Sequence, residues 1–344
     1  MSQRRISRQA LTIFSGLVFL LGIFVVWTHH AYAAQQHSYD PNAAAGLEIS
    51  PALVQLNGEP GQSYILKERV TNVTKNNLNY SMIVDDFGAK DETGIPKLLP
   101  LGNLPPTASM ISWVSAVGNF SLQSMQSKTL TITVNIPKNA EAGGHYGVIE
   151  FQGSRPDVAK NTVGVQASTG LLILTRVAGA INENLSLASL TAEKNGHSSS
   201  IFENGPITFV SRLHNIGNVH VAPTGTIEIT DMFGHLVNVL KVNQDASNVL
   251  PNSIRRFEST LSRGWMFGRY TADLTIGYGT KGEVLQGEIT FWVIPWKIVA
   301  AVIFVLATLI FVAWQLIKVY NRHIINKYKQ TNDKQTKKPK KRKG

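Results

Sequence analysis

Residues 129–136 read Thr-Leu-Thr-Ile-Thr-Val-Asn-Ile, a run in which polar and apolar side chains alternate without a break. In an extended strand successive side chains point to opposite faces, so the apolar set faces one way and the polar set the other. This arrangement is typical of a strand with one buried face and one solvated face. The run therefore predicts a strand at the surface of a sandwich or barrel.

Runs rich in β-branched and aromatic residues recur on both sides of this strand, separated by Gly, Asn, Pro and Asp, and no long segment between residues 47 and 294 has a helical period. In the first half, strands are predicted at Leu47–Leu56, Tyr64–Asn72, Leu78–Asp85, Ile111–Val114, Lys128–Ile136, Gly147–Gln152 and Val163–Arg176. In the second half, they are predicted at Leu185–Thr191, Ile207–Asn215, Gly225–Thr230, Leu236–Val242, Arg255–Leu261, Tyr270–Tyr278 and Glu283–Ile294. The predicted fold class is all-β, with immunoglobulin-like β-sandwich domains over residues 47–178 and 179–295.

Two short patterns occur once in each half, which suggests that the halves are copies of one module. The first is R-[VL]-x-N-[VI], at 69–73 and 212–216, and it predicts a strand that ends in a turn held by the Asn side chain. The second is G-x-Y, at 144–146 and 268–270, where the Tyr hydroxyl is predicted to fold back onto the chain as in a tyrosine corner. The offsets of 143 and 124 residues differ by 19. The extra length is predicted to lie in the Gly- and Pro-rich stretch 87–110.

Residues 1–33 are predicted to be an export signal. Three Arg residues give a positive start, an apolar stretch follows, and Ala31-Tyr32-Ala33 is a small-x-small cleavage site. An uncleaved N-terminal anchor is the alternative. Residues 34–46 are predicted to be a short linker to the first sandwich.

Residues 298–317 carry no charge over 20 positions. As a helix they span about 30 Å, the thickness of the hydrocarbon core of a bilayer. We predict a transmembrane helix at 296–317 and a single-pass protein of the cell membrane. Residues 318–344 contain 11 Lys/Arg and one acid, a balance that places the C-terminus in the cytoplasm and the sandwiches outside. This basic tail has too few apolar residues to fold, so it is predicted to be disordered.

The net charge of +11 comes from the two ends, because residues 34–317 hold 19 Lys/Arg against 21 Asp/Glu. That balance excludes a basic DNA- or RNA-binding domain in the body of the chain, so no nucleic-acid partner is expected. The chain has no cysteine. Disulfides, Cys–zinc sites, iron–sulfur clusters and cysteine nucleophiles are therefore excluded.

Sequence motifs for catalysis are missing: there is no G-x-S-x-G, P-loop, G-x-G-x-x-G or H-E-x-x-H pattern. His214, His220 and His235 could approach one another, but a metal site needs three or four converging ligands, so we expect structural or surface roles for them. The sequence predicts a protein that is not an enzyme, with no catalytic residue, cofactor, metal or small-molecule substrate.

Four acidic residues stand at the entrance to the stretch 87–110. They could hold Ca²⁺ or lie on a solvated turn, although their order is not that of an EF-hand loop. The Pro and Gly content of the stretch suits a loop held in one shape, so we predict a ligand-binding surface here, with a loop that covers a sheet edge as the alternative. The predicted binding residues are Asp85, Asp86, Asp91, Glu92, Leu98 and Leu99.

Tryptophan residues mark two further positions. Trp113 is predicted to lie in the core of the first sandwich. Trp265 and Phe267 lie between two predicted strands of the second sandwich, with Arg263 and Arg269 close by. Exposed aromatic residues beside Arg are typical of interface hot spots, so both are predicted binding residues. A loop tucked over the end of the sandwich is the alternative.

Four segments resemble one known family. They are Leu-Glu-Ile-Ser-Pro at 47–51, Pro-Gly-Gln-Ser at 60–63, Val-Thr-Asn at 70–72 and the stretch IPKNAEAGGHYGVIEF at 136–151. These segments, and the order of signal peptide, two sandwiches, helix and basic tail, resemble the exported WxL-interacting proteins of Gram-positive bacteria. The resemblance implies that the first domain binds peptidoglycan and the second a surface partner.

Three functional hypotheses follow. The first is a membrane-anchored cell-surface binding protein that holds peptidoglycan or another surface protein through its outer sandwich. The alternative is a membrane-tethered assembly chaperone for exported surface subunits, which would offer a sheet edge to an extended partner strand. The third is an envelope hydrolase, which would need convergent carboxylates or histidines in a cleft.

Overall fold

A computed structural model of the chain describes residues 46–115, 118–154 and 168–336. The predicted signal peptide at 1–33, the linker up to residue 45 and the last eight residues of the predicted tail lie outside the described residues. The described part contains 19 strands and one long helix at its C-terminal end. The prediction of an all-β fold followed by one apolar helix is therefore confirmed.

The first ten strands form two sheets of one sandwich. Their bounds are β1 Leu47–Ser50, β2 Leu53–Gly58, β3 Ser63–Asn72, β4 Leu78–Ala89, β5 Pro96–Leu98, β6 Val114–Ser115, β7 Phe120–Leu122, β8 Ser127–Asn135, β9 Gly143–Ser154 and β10 Ser168–Val177. One sheet has the order β1-β3-β8-β6, and the other has the order β2-β10-β9-β4-β5 with β7 also paired to β4. Only the β2–β10 pair is parallel among the described strands of this sandwich.

The next nine strands form the second sandwich. Their bounds are β11 Leu185–Lys194, β12 His197–Ser198, β13 Ile201–Phe202, β14 Ile207–Asn215, β15 Thr224–Asp231, β16 Leu236–Val242, β17 Ile254–Leu261, β18 Gly268–Tyr278 and β19 Glu283–Val293. The sheets have the orders β12-β11-β14-β17 and β13-β19-β18-β15-β16. The predicted domain boundary at 178/179 falls in the connection between β10 and β11.

Each sandwich has its own apolar core. In β8, Leu130, Ile132 and Val134 are buried, as the alternation in this stretch predicts, and Trp113 packs with them. The second core is built around large side chains such as Phe209 and Phe291. The prediction that Trp113 is a core residue is confirmed.

The repeated Asn of the R-[VL]-x-N-[VI] pattern has the same role in both sandwiches. Asn72 and Asn215 end β3 and β14, and both are fully buried. Each side-chain amide donates to the carbonyl oxygen four residues on, at 2.8 Å, and to a backbone carbonyl of a distant connection. Each side-chain oxygen accepts the backbone N–H two residues on. The predicted Asn turn exists at both strand ends, and it also ties the turn to a second connection.

The repeated Tyr behaves differently in the two sandwiches. The Tyr270 hydroxyl folds back to the backbone N–H and carbonyl of Phe267, at 3.2 and 3.3 Å. The Tyr146 hydroxyl instead lies 3.3 Å from Nδ1 of His220, in the second sandwich. The tyrosine-corner prediction is therefore wrong for Tyr146, because this ring is held at the junction between the sandwiches.

The C-terminal helix, α1, runs from Trp296 to Thr336. Residues 296–326 are long and apolar enough to cross a membrane, and the most apolar window is not buried against the rest of the described chain. The helix continues through 318–336, where a disordered tail was expected. Lys and Gln are good helix formers, and extending an existing helix needs no new nucleus, so polar composition alone does not end it.

Candidate functional site

The stretch 87–110, predicted as one long loop, begins as a β-hairpin. Strand β4 runs on to Ala89, so Asp85 and Asp86 lie within the strand rather than after it. Strand β5 pairs back onto it, with Phe87 opposite Leu98. Gly88 has the branched end of Leu99 close beside it. Strand β4 thus continues through Phe87, Gly88 and Ala89, beyond its predicted end at Asp85.

The tip of this hairpin is a turn shaped by Asp91. Its carboxylate accepts the Thr93 backbone N–H at 2.7 Å and also the Thr93 hydroxyl. Hydrogen bonds from Thr93, first the hydroxyl and then the N–H, hold the pKa of Asp91 below its usual range. An Asp two residues before a hydrogen-bonded Thr is a common way to fix a tight turn. Asp91 is exposed, and its role in the structure is to shape the tip.

The hairpin tip contacts the second sandwich through Glu92. Its carboxylate lies 2.7 Å from Nε of Arg212 on β14, and its backbone carbonyl accepts the N–H of Arg256 on β17 at 2.8 Å. Gly94 packs against the Arg255 guanidinium so closely that a side chain there would displace it. The tip therefore bridges the two sandwiches and covers part of the β17 edge.

Asp86 has a structural partner inside the first sandwich. It is buried, and its Oδ1 accepts the backbone N–H of Met110 at 2.7 Å. Its backbone carbonyl accepts the N–H of Leu99 at 2.8 Å. Both bonds fold the 99–110 segment back against β4, which explains why a carboxylate is found there.

Asp86, Asp91 and Glu92 thus have separate partners, and the four acidic residues do not form one cluster in the described structure. Within the described ranges, no group of three or more His, Asp or Glu side chains is placed to hold a metal ion. The calcium alternative needs six or more oxygen ligands around one ion. The described arrangement of these carboxylates does not supply such a site.

Apolar side chains remain exposed on the outer part of the hairpin and just after it. Leu98 is about half exposed, and Ile95 and Leu101 are more exposed still, whereas Leu99 is only partly accessible. We refer to Ile95, Leu98 and Leu101 as the hairpin patch. All three side chains are aliphatic, and they lie in the domain that does not lead into α1.

The two sandwiches meet at a junction with an apolar centre. Phe87, Val148 and Leu174 of the first sandwich form a buried cluster with Leu250 of the second packed against it. The Gly144 N–H donates to the Asn218 carbonyl at 2.8 Å beside this cluster. Together with the Glu92 contacts, these interactions join the two sandwiches.

A histidine is half-buried at the same junction. Desolvation, with a smaller effect of the Arg176 charge, lowers the pKa of His220 to about 4. Burial also raises the pKa of Tyr146, whose ring lies edge-on to that of His220. Both side chains are therefore neutral at physiological pH. His235 is exposed beside Asp231, and the described residues contain no group of three or more that could hold a metal ion.

An open groove of about 480 Å³ runs beside the junction. Two of its polar side chains have partners: the Tyr64 hydroxyl donates to the Asn57 carbonyl at 2.6 Å, and Arg176 pairs with Glu183. Glu183 in turn accepts the hydroxyl of Thr280 at 2.7 Å. The groove has no pair of free carboxylates or nucleophile with a base, so its geometry does not indicate catalysis.

Trp265 and Phe267 are exposed, as a binding role requires, and Met266 between them is buried. The loop is thus anchored by its middle residue, and the two aromatic rings on either side point outward. It lies at the end of the second sandwich from which α1 leaves, because it precedes Gly268, which pairs with Val293. The loop is far from the hairpin patch in the chain and belongs to the other sandwich.

A scan against protein-family models gives no match, and a search of the curated proteins gives none. Solved structures give matches of low similarity. They include the class 5 fimbriae chaperone CfaA, with 15% identity, 72% of this chain and 99% of that chain covered, and a TM-score of 0.34. The Escherichia coli (E. coli) chaperone DraB has 14% identity, 72% and 96% coverage and a TM-score of 0.30. The Pseudomonas aeruginosa chaperone CupB2 has 11% identity, 69% and 97% coverage and a TM-score of 0.31. At this similarity they assign no function to the chain.

Sequence reasoning missed two positions. Arg212 is the partner of Glu92, but its place in the R-[VL]-x-N-[VI] pattern gives no sign of a contact with another domain. Glu68 is buried in β3, between the inward-facing Leu66 and Val70. The period of two along β3 is a signal that could have found it, since every second residue of this strand faces the core.

Proposed function

We propose that the protein is a non-enzymatic, membrane-anchored surface protein that holds another surface protein through its first sandwich. The observation that carries the proposal is the order of elements along the chain. Two sandwiches that contact each other are followed directly by a helix able to cross a membrane. Basic residues after the helix keep its C-terminal end in the cytoplasm, so the sandwiches lie outside. The second sandwich then stands next to the membrane and the first is presented outward.

The exposed chemistry of the first sandwich favours a protein partner over peptidoglycan. The hairpin patch offers aliphatic side chains, which bury well against an apolar protein surface. The large exposed apolar side chains in the described part of this sandwich are all aliphatic, from Leu53 to Met125. Peptidoglycan binding, which the family resemblance implies, is the competing outcome of the experiment below.

Replacing Ile95, Leu98 and Leu101 together with Ser is expected to weaken partner capture at least about tenfold, because apolar burial at the contact is lost. Capture is measured with the full chain in detergent, against cross-linked surface proteins and against purified peptidoglycan in parallel. Substitutions of exposed side chains change the free energy of unfolding by only about 0.5 kcal/mol. The melting temperature of the variant should therefore stay close to that of the native chain.

Leu53→Ser is the matched control, because it removes an exposed aliphatic side chain from another strand of the same sandwich. It should leave capture unchanged. Equal capture by the triple variant and the native chain would contradict the role of the hairpin patch. Binding to peptidoglycan alone, insensitive to the triple variant, would replace the protein partner with a cell-wall ligand.

An assembly chaperone is the second candidate, and one strand edge favours it. Strand β6 pairs with β8 only at Val134 and Thr133, and no described strand lies beside Ser127–Leu130 on that side. The Asn135 N–H points towards this side, to the Trp113 carbonyl, and alternate residues of a strand point the same way. The backbone N–H of Thr129 therefore faces the open edge, where an extended partner strand could pair with it.

Thr129→Pro tests this candidate, since Pro removes a donor on an open edge without removing one directed at β3. Losing one hydrogen bond, about 1 kcal/mol, should weaken an added strand about fivefold. The readout is binding of exported subunits to the purified full chain, with Thr129→Ser as the control that keeps the donor. If Thr129→Pro and Thr129→Ser bind equally well, strand addition at β8 is ruled out.

A further inference from the structure

The end of the second sandwich nearest α1 is tightly joined to the start of the helix. Strand β19 ends at Val293 and α1 begins at Trp296, so only Ile294 and Pro295 lie between them. The Ile294 N–H donates to the Phe202 carbonyl at 2.8 Å, and Lys297 Nζ lies 3.0 Å from the Glu203 carboxylate. The helix therefore starts at a fixed place on the sandwich and not after a flexible tether.

Two connections lie at this same end of the sandwich. The register of β18 with β19 places the β17–β18 loop, residues 262–267, beside the end of β19. The register of β15 with β18, where Asp231 opposes Tyr270, places the β15–β16 turn, residues 232–235, next to that loop. Met232 in the turn touches Gly268 at the start of β18. Neighbouring strands are about 4.8 Å apart, so both connections begin within about 10 Å of β19.

These two connections expose three aromatic rings. Phe233 is 75% exposed, Trp265 is 72% exposed and Phe267 is 58% exposed. Large aromatic residues bury much apolar surface when they are given a partner, so three at one end of a domain mark a contact surface. We refer to Phe233, Trp265 and Phe267 as the aromatic rim.

The backbone that carries the aromatic rim is held in place. The Asp231 carboxylate accepts the N–H groups of Phe233 and His235, each at 2.9 Å, which fixes the turn. The β17–β18 loop is anchored by buried Met266 and by the Tyr270 hydroxyl at Phe267. The rings thus stand outward on rigid supports, and ordering them for a contact costs little entropy.

We propose that the aromatic rim inserts into the interfacial region of the outer leaflet and holds the second sandwich against the membrane. The inference rests on the membrane anchor of the proposed function. A bilayer must surround the apolar part of α1, which begins beside the rim and is not buried against the sandwich. Tryptophan and other aromatic rings favour the depth of the lipid headgroups.

The charged residues near the rim fit the same partner. Arg263 and Arg269 are exposed at this end, on either side of the aromatic loop residues. Basic side chains near a membrane surface are attracted by anionic headgroups. Two acidic residues at this end have partners: Asp231 accepts hydrogen bonds within its own turn, and Glu203 pairs with Lys297. The rim therefore combines apolar rings with net positive charge.

Site-directed spin labelling of the full chain tests this placement. Since the chain has no cysteine, Phe233→Cys, Trp265→Cys and Phe267→Cys each give a single labelling site. Ile310→Cys in the middle of the apolar helix is the lipid reference, and Ile65→Cys on β3 is the aqueous reference; both native side chains are exposed. The protein is placed in vesicles of phosphatidylcholine and phosphatidylglycerol, and collision of the nitroxide with oxygen is compared with collision with a water-soluble nickel complex.

The three rim labels are expected to show an oxygen-to-nickel collision ratio well above that of Ile65→Cys and closer to that of Ile310→Cys. Rim labels that match Ile65→Cys, with Ile310→Cys in lipid, would overturn the rim placement and leave the anchor intact. Labels shielded from both reagents would mean contact with protein and would equally overturn it. An aqueous label at Ile310→Cys would instead remove the membrane anchor of the proposed function.

Because Trp265→Cys removes the ring under test, a second measurement keeps the native side chain. Brominated phosphatidylcholine quenches tryptophan that lies in the bilayer. The native chain should lose a larger part of its fluorescence than Trp265→Phe, whose remaining tryptophans are unchanged. If brominated lipid removes the same amount of fluorescence from both proteins, Trp265 lies outside the lipid.

Discussion

Asn215→Ala is expected to destabilise the second sandwich by about 3 kcal/mol, because one buried side chain supports the backbone at three points at once. Its side-chain amide donates hydrogen bonds to the carbonyls of Val219 and Val249, both at 2.8 Å, and its side-chain oxygen accepts the Gly217 N–H at 2.9 Å. Alanine leaves those groups buried without partners. Scanning calorimetry of the full chain in detergent should show the transition of the second sandwich roughly 15 °C lower.

Asn72→Ala should have a similar effect on the first sandwich, since Asn72 makes the equivalent bonds there. Asn238→Ala is the control, because Asn238 is exposed on β16 and bonds only the adjacent Val239 N–H in the described structure. Asn215→Asp separates the two halves of the interaction, as it keeps the acceptor and removes both donors. A loss below about 1 kcal/mol in both alanine variants would show that these buried bonds are not important for stability.

The role of these Asn residues shows what the sequence could predict. A pattern repeated at 69–73 and 212–216 predicts an Asn turn at two strand ends, because the chemistry of such a turn is local. Burial of Asn72 and Asn215 and their bonds to a distant connection depend on the packing of both sheets. Alternation along β8 likewise predicts which of its residues face the core, but it does not show that β6 covers only part of its edge.

The hairpin tip illustrates a limit of the same reasoning. Glu92 and Arg212 are 120 positions apart, and neither neighbourhood carries a signal for the other. An exposed carboxylate in a Gly-rich stretch has the same pattern whether it faces solvent, a ligand or another domain. The predicted binding role of Asp85, Asp86, Asp91, Glu92, Leu98 and Leu99 stays a prediction, although Asp86 and Glu92 have structural partners that sequence alone could not reveal.

The aromatic loop shows the opposite case. Its composition predicts a contact surface without showing what the surface faces. The pairing of Gly268 with Val293 shows where this surface lies, because it brings Trp265 and Phe267 to the end of the sandwich where the helix begins. Strand register is set by the hydrophobic pattern of whole strands and by their turns, so it becomes visible only with the sheet assembled.

Glu68 gives the second large expected effect, a loss of stability as the pH rises. This carboxyl is buried in β3 opposite Leu130, and its Oε1 has no hydrogen-bond partner among the described atoms. Desolvation raises the pKa of Glu68 from 4.5 to about 7, against a smaller opposing hydrogen bond from the Ser50 backbone. The folded chain therefore keeps this proton over a range in which the unfolded chain has released it.

The pH range and the sign of the effect follow from that difference. Below about pH 4.5 both states hold the proton, and above about pH 7 neither does. Between these values the folded state binds more protons, so the free energy of unfolding falls by about 1.4 kcal/mol for each pH unit, up to about 3 kcal/mol in all. The loss is complete once the pH exceeds the folded pKa.

Glu68→Gln isolates this contribution, because the amide has the size of the protonated carboxyl and does not ionise. At pH 4.5 the variant and the native chain should have similar free energies of unfolding. As the pH rises to about 7 the variant should become increasingly more stable than the native chain, and above that pH the difference should stay constant. Urea unfolding in detergent across this range measures the difference. Glu48→Gln, on the exposed face of β1, is the control for removing one acidic charge from the same sheet. Parallel stability curves for the native chain and Glu68→Gln would mean that Glu68 is hydrated or paired in the folded protein, since a dry, unpartnered carboxyl cannot lose its proton without cost.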